Sequence, residues 1–333
     1  MGNTYHCLTF SLVVLPSVLL TAYFFAQFPR LPQSFHVYPS LASLPPSSRS
    51  WSIYPPDFYE GGQYVDLPYG RIRYWVFGPE TGKKIVFIHG FSIPAIIWKD
   101  VAPELAARGF RVLLFDLYGR GYSDAPQTAY DTALYTTQLA LLMQHVKWDK
   151  AYIAGVSMGG GIAAAFTATF PDLVDDKIAL VCPAGLMDTS DISRTMKFMS
   201  SPALQAVTSS SPFRFYLRRL ANSTSDTDPI AELVRIQSAY LPGYNPALAS
   251  SLRAGPLRGL KPAVETLGRS ARKVLLVWGT ADKVVPYKYS SVMQGLLPNS
   301  ELVTIEDGPH DLTLTHPKLV TDALLRFFED ASS

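Results

Sequence analysis

The pentapeptide Gly155-Val156-Ser157-Met158-Gly159 sets a serine between two glycines. The apolar run Ala151–Ala154 leads into it, and the small-residue stretch Gly160–Ala168 leads out. A strand that turns directly into a helix there strains the serine backbone and lifts its hydroxyl clear of a sheet. Gly155 and Gly159 are needed because strand and helix pass too close for side chains. The hydroxyl would lie beside a helix N-terminus, whose free N–H groups suit an anion. A lone serine hydroxyl is a poor nucleophile near neutral pH. It needs an imidazole within hydrogen-bond reach, and that imidazole needs a carboxylate to fix its tautomer.

Such an arrangement orders its residues along the chain as serine, acid, histidine. Strand-like Lys273–Trp278 ends in Gly279-Thr280-Ala281-Asp282, and Glu301–Ile305 is followed by Glu306-Asp307-Gly308-Pro309-His310. Both loops leave the carboxyl ends of strands, where open α/β sheets place their sites. Asp282 and His310 are therefore the expected acid and base. Asp188 is a rival acid, farther from its strand end. Asp116 is read as organising the loop Tyr118–Ser123, and His316, just before Pro317, as packing locally. An oxyanion hole needs two backbone donors. Met158, directly after the serine, supplies one. Phe91, in His89-Gly90-Phe91, supplies the other, with His89 itself holding that loop. Gly78-Pro79-Glu80-Thr81-Gly82-Lys83 resembles a phosphate loop only superficially, because its spacing is wrong and no Ser or Thr follows Lys83.

The elements that must position these groups are visible as alternating runs. Arg71–Phe77, Lys84–His89, Arg111–Leu117, Ala151–Val156, Lys177–Pro183, Lys273–Gly279 and Glu301–Glu306 read as strands, separated by helical stretches. The first alternates, as a half-exposed strand near an edge does. The later runs are almost continuously apolar, as strands buried on both faces are. This predicts an α/β fold with a mostly parallel twisted sheet and helices on both faces. Residues 186–272 hold no strand-like run, only helical candidates such as Ile192–Met199, Phe213–Leu220 and Ile230–Ala239. That stretch reads as an inserted helical cap. Residues 61–185 and 273–333 form the core, and the Pro- and Ser-rich residues 29–60 read as an extended linker.

Leu8–Phe28 carries no charge, and residues 1–28 read as a membrane anchor rather than a cleaved signal peptide. Arg30 and Arg49 follow it and no Lys or Arg precedes it, so the globular part is expected to face the cytosol. The sequon Asn222-Ser223-Thr224 would matter only in a lumen. Of 333 residues, 48% are apolar and 17% charged, enough for a large core. A net charge of +2 with no basic run gives no argument for nucleic acid. Cys7 and Cys182 are the only cysteines, which excludes a disulfide framework and a cysteine-based zinc site. The six histidines form no metal-ligand pair, so neither metal nor cofactor is expected.

His89-Gly90-Phe91, Asp116–Ser123, Gly155–Gly159, Gly279–Asp282 and His310 together resemble the α/β-hydrolase superfamily. The branch resembled holds monoacylglycerol lipases, carboxylesterases and carbon–carbon bond hydrolases, and the likeness spans about Tyr64 to Phe328. Pro309 stands where that family more often has Gly, and Thr315 where many relatives carry an acid. The resemblance implies a serine hydrolase acting without cofactor on a small-molecule or lipid ester. Related epoxide hydrolases and dehalogenases use an aspartate at the elbow, which Ser157 argues against. The alternatives are hydrolysis or acyl transfer on a soluble small molecule, and a binding module that has lost turnover.

Overall fold

A computed structural model of the chain describes residues 14–27, 36–191, 197–198, 200–201, 204, 207, 210–223 and 228–330. It divides into two compact units, Met1–Phe35 and His36–Ser333.

In the first unit a helix covers Leu15–Gln27, 13 residues. At about 1.5 Å per residue it is roughly 20 Å long, against about 30 Å of bilayer hydrocarbon. Residues 8–13 and 28 of the expected span lie outside the described residues. Among the described residues no helix is long and apolar enough to cross a membrane. The expected single-pass anchor, and the cytosol-facing placement built on it, are corrected on that ground.

In the second unit, strands β1 (Val37–Tyr38) and β6 (Ala125–Pro126) form a small antiparallel ribbon. The remaining strands are β2 (Gly62–Leu67), β3 (Gly70–Phe77), β4 (Lys83–Ile88), β5 (Phe110–Phe115), β7 (Ala151–Val156), β8 (Val174–Val181), β9 (Lys273–Gly279) and β10 (Ser300–Ile305). They make one sheet in the order β10-β9-β8-β7-β4-β5-β3-β2. From β5 to β10 every neighbouring pair is parallel, while β3 runs antiparallel to β5 and to β2. β7 is buried at every position, as its unbroken apolar run requires of a central strand. β3 lies one strand in from the edge, which β2 occupies, so it is more buried than its alternation suggests.

Residues 36–60 differ from the extended linker expected of them. Leu41 and Tyr54 are fully buried, and the Leu41 N–H donates to Gly121 O at 3.0 Å. The Tyr54 ring lies 5.9 Å from Trp75, and its hydroxyl donates to the buried Asp116 carboxylate at 3.1 Å. Scattered aromatics in a proline-rich stretch supplied the apolar area that folds it back.

Between β8 and β9 stand helices Ser211–Ser223, Pro229–Tyr240, Tyr244–Ala254 and Lys261–Gly268. Two overlap the expected Phe213–Leu220 and Ile230–Ala239. Most of Ile192–Met199 lies outside the described residues, as does Thr224 of the sequon. Asp228 caps the second helix, accepting from Ile230 N at 2.9 Å. Its Glu232 side chain, 2% exposed, accepts from Arg235 and lies 3.4 Å from Arg49 of the preceding segment.

Tyr54→Ala is expected to destabilise the protein by about 3–5 kcal/mol, the cost of deleting a buried aromatic. Tyr54→Phe removes only the hydrogen bond to Asp116 and is expected to cost about 1.5–3 kcal/mol. Urea unfolding of both variants checks this, and a neutral Tyr54→Ala would return residues 36–60 to a linker.

Candidate active site

β7 ends at Val156 and a helix begins at Met158, leaving Ser157 as a one-residue elbow. Its backbone sits at φ 57 and ψ −121, a region that costs a non-glycine residue about 1–3 kcal/mol. The turn is held by Ser157 N–H donating to Val181 O and Ala184 N–H donating to Ser157 O, both at 2.9 Å. A Cβ on Gly155 would come within 2.2 Å of Gly159 O, and one on Gly159 within 2.3 Å of Ile88 O. The close approach expected of these glycines is present.

The structure brings Ser157, Asp282 and His310 together. His310 Nε2 lies 2.9 Å from Ser157 Oγ, and His310 Nδ1 lies 2.7 Å from Asp282 Oδ2. An ionised carboxylate only accepts, so Nδ1 carries the proton and Nε2 is left to accept from the serine hydroxyl. Asp282 cannot turn away. Its Oδ1 accepts the N–H groups of Val284 and Val285, each at 2.8 Å, which presents Oδ2 to the imidazole. The two loops are tied by Ala281 N–H donating to Gly308 O at 3.0 Å. Thr315 supports the His310 loop through its hydroxyl, which donates to Asp311 O at 3.0 Å.

Phe91 and Met158 flank the serine. A Cβ on Gly90 would lie 3.4 Å from Ser157 Cβ, so the loop passes directly against it. Met158 opens its helix, and neither its N–H nor that of Phe91 meets an internal acceptor among the described residues. His89 governs the loop. Its Nδ1 lies 2.9 Å from Gly90 O, and its Nε2 accepts the Leu117 N–H at 2.8 Å. The second bond fixes the tautomer, so Nδ1–H donates to Gly90 O. That carbonyl shares a rigid peptide plane with the Phe91 N–H. Holding one aims the other in the opposite direction.

Asp116 organises the neighbouring turn. It is fully buried and accepts from Ala95 N and Tyr122 N at 2.8 Å. Burial pushes its carboxyl up to about 6 despite those donors. Asp188 is exposed, and His316 turns to Thr315 Oγ1 at 2.9 Å, so neither joins the site. Cys182 is a neighbour that sequence reasoning missed. Its sulfur, an Asp282 oxygen and a His310 ring nitrogen lie within 4.8 Å of one another. Burial and then the Asp282 charge push the thiol up, so it stays protonated and is a poor metal ligand. Only its place at the end of the strand preceding the insertion hinted at this.

The hydroxyl of Ser157 opens into a cavity of about 210 Å³. Phe91, Ile93, Met187, Leu252, Leu257 and Val285 supply much of its largely apolar wall. Met187, Leu252 and Leu257 belong to the insertion. Larger cavities of about 420 and 430 Å³ exist, but neither is lined by Ser157 or His310.

Residues 83–317, more than half of the chain, match the family model described as alpha/beta hydrolase fold. The chain belongs to the α/β-hydrolase family. It is 28% identical over 282 residues to a soluble epoxide hydrolase of Corynebacterium sp. (strain C12), covering 78% of this chain and 93% of that one. A 2-hydroxymuconate semialdehyde hydrolase of Pseudomonas sp. (strain CF600) is 26% identical over 266 residues, with 76% and 89% covered. Among solved structures, bromoperoxidase from Bacillus anthracis superposes with a TM-score of 0.66 at 22% identity, over 81% of this chain and 100% of that one.

Burial, with the Arg120 charge second, lowers His89 from 6.5 to about 3. Between those values the unfolded chain takes up a proton that the folded chain excludes. Stability from this group is therefore complete above pH 6.5 and falls as pH drops toward 3, by about 1.4 kcal/mol per unit. Urea titrations between pH 4 and 6.5 are expected to show a shallower slope for His89→Gln than for wild type, by about one proton. Equal slopes would place the titration elsewhere.

Proposed function

We propose that the protein is a serine hydrolase that cleaves a compact apolar carboxylic ester through an acyl-enzyme on Ser157. The observation that carries this reading is the unbroken hydrogen-bond chain from Ser157 through His310 to Asp282, opening into an apolar cavity. Ser157 Oγ attacks the carbonyl carbon while its proton passes to His310 Nε2. Asp282 stabilises the imidazolium, and the N–H groups of Phe91 and Met158 receive the oxyanion. His310 then protonates the leaving alcohol. A water deprotonated by the same nitrogen attacks the acyl-enzyme and releases the acid. No step needs a metal or cofactor.

In this reading residues 186–272 act as a cap whose Met187, Leu252 and Leu257 select the substrate. The described cavity wall holds no Lys or Arg, and Asp311 is among its lining residues. A substrate bearing its own carboxylate would be repelled there, which favours a neutral ester over an anionic carbon–carbon bond substrate. At about 210 Å³ the cavity is below the common range of roughly 300–1,000 Å³ for drug-sized ligands.

A fluorophosphonate probe is expected to label wild type and not Ser157→Ala. Turnover is expected to fall about 10⁴-fold or more in Ser157→Ala and about 10⁴-fold in Asp282→Asn. Retained turnover in Ser157→Ala would remove the acyl-enzyme. Among p-nitrophenyl esters, kcat/KM is expected to be higher for butanoate than for hexadecanoate. Leu252→Ala is expected to narrow that gap about tenfold, the scale of a methylene or two in an apolar pocket.

A further inference from the structure

Arg120 is fully buried, and among the described residues no carboxylate pairs with it. Its hydrogen bonds all go to neutral acceptors. Nε donates to Phe91 O at 3.0 Å, Nη1 to Tyr118 O at 3.0 Å and to the Tyr135 hydroxyl at 2.6 Å, and Nη2 to Ser251 Oγ at 2.9 Å. The rings of Phe91, Tyr130 and Tyr135 lie 5.9, 5.7 and 5.6 Å from the guanidinium carbon and replace part of its lost hydration. A buried cation without a counter-ion is costly to a fold. Its contacts say where that cost is used.

The Phe91 carbonyl belongs to the peptide on one side of the Phe91 Cα, and the Phe91 N–H to the peptide on the other. His89 holds the second through Gly90 O at 2.9 Å, and Arg120 holds the first. With both planes pinned, the N–H has one direction left. The same guanidinium grips Ser251, next to the cavity residue Leu252 on helix Tyr244–Ala254. Tyr135 closes the triangle, 2.7 Å from Ser251 Oγ.

We propose that Arg120 is a positioning residue that aims the Phe91 N–H at the reacting oxygen and keys the substrate-facing helix Tyr244–Ala254 to it. The proposal rests on the acyl-enzyme reading above. A fork of fixed geometry suits the task, because one planar group reaches loop, core helix and inserted helix together. An ammonium keeps the charge but cannot span the same acceptors.

The test compares Arg120→Met and Arg120→Lys with wild type on p-nitrophenyl butanoate and on a trifluoromethyl ketone, which forms a tetrahedral oxyanion on Ser157. Arg120→Met is expected to lose about 10- to 100-fold in kcat, somewhat less than deletion of an oxyanion donor, with KM within about threefold. Ketone affinity is expected to fall by the same factor, while fluorophosphonate still labels Ser157. Arg120→Lys is expected to recover part of both. If Arg120→Met does not fold, Arg120→Lys decides alone, through a kcat loss of about fivefold or more matched by the ketone. Folded variants that lose melting temperature but keep kcat and ketone affinity within about twofold would overturn the proposal. That result, in an enzyme still dependent on Ser157, would leave the proposed function standing. Turnover by Ser157→Ala would overturn both.

Discussion

The 2.9 Å contact between His310 Nε2 and Ser157 Oγ is the constraint around which the rest of the molecule is arranged. Ser157 ends the central β7, whereas His310 follows the edge strand β10, so the histidine loop must reach back across β9 and β8. Two features make that reach reproducible. The loops after β9 and β10 touch through backbone, with no room for a side chain on Gly279 against Gly308 O. Asp282, on the nearer loop, is then locked by two backbone donors and holds the imidazole from behind. The strained Ser157 backbone is tolerable because everything beside it is tightly packed: Val156 is 1% exposed and Met158 fully buried.

A second layer of buried polar groups holds the loops that face the serine. Asp116, His89 and Arg120 are all fully buried, and each spends its polar atoms mainly on backbone or neutral groups. In a low-dielectric interior an unsatisfied donor or acceptor is expensive, so such bonds define one loop conformation sharply. Asp116 collects the N–H groups of Ala95 and Tyr122, His89 links Leu117 to Gly90, and Arg120 links Phe91 to Ser251. The segments 89–95 and 116–123 are thereby one object. The segment before β2 closes over it through the Tyr54 hydroxyl.

Much of this was legible because local rules and tertiary placement agree. Buried parallel strands must be apolar throughout, so six of the seven runs stood out, and the residues after three of them carried serine, carboxylate and imidazole. Their convergence follows from topology alone. What was hidden depends on partners distant in sequence. β2 has mixed burial and earns its place only by pairing with β3. The aromatics of residues 36–60 gave no periodic pattern, since they enter the core singly. Arg120 carried no reading of its own in the sequence, because its bond to Ser251 spans 131 residues. The membrane reading is corrected because the described helix Leu15–Gln27 is only 13 residues long.

In the proposed reaction the cavity would turn these constraints into selectivity. Of its described lining, His310 and Asp311 are the ionisable residues, and His310 stands at Ser157. An imidazolium formed in the proposed attack would be compensated by Asp282, whose side chain is fully buried, while the His310 side chain remains 19% exposed. That partial exposure is what the proposed deacylation would need, since a water must approach the imidazole. An anionic substrate would add a further negative charge to a site that already holds Asp282 and Asp311. The same low dielectric that strengthens the imidazolium–carboxylate pair strengthens that repulsion. Under the proposed ester hydrolysis, charge placement would narrow the substrate before shape does, leaving the helices between β8 and β9 to set how long the apolar chain can be.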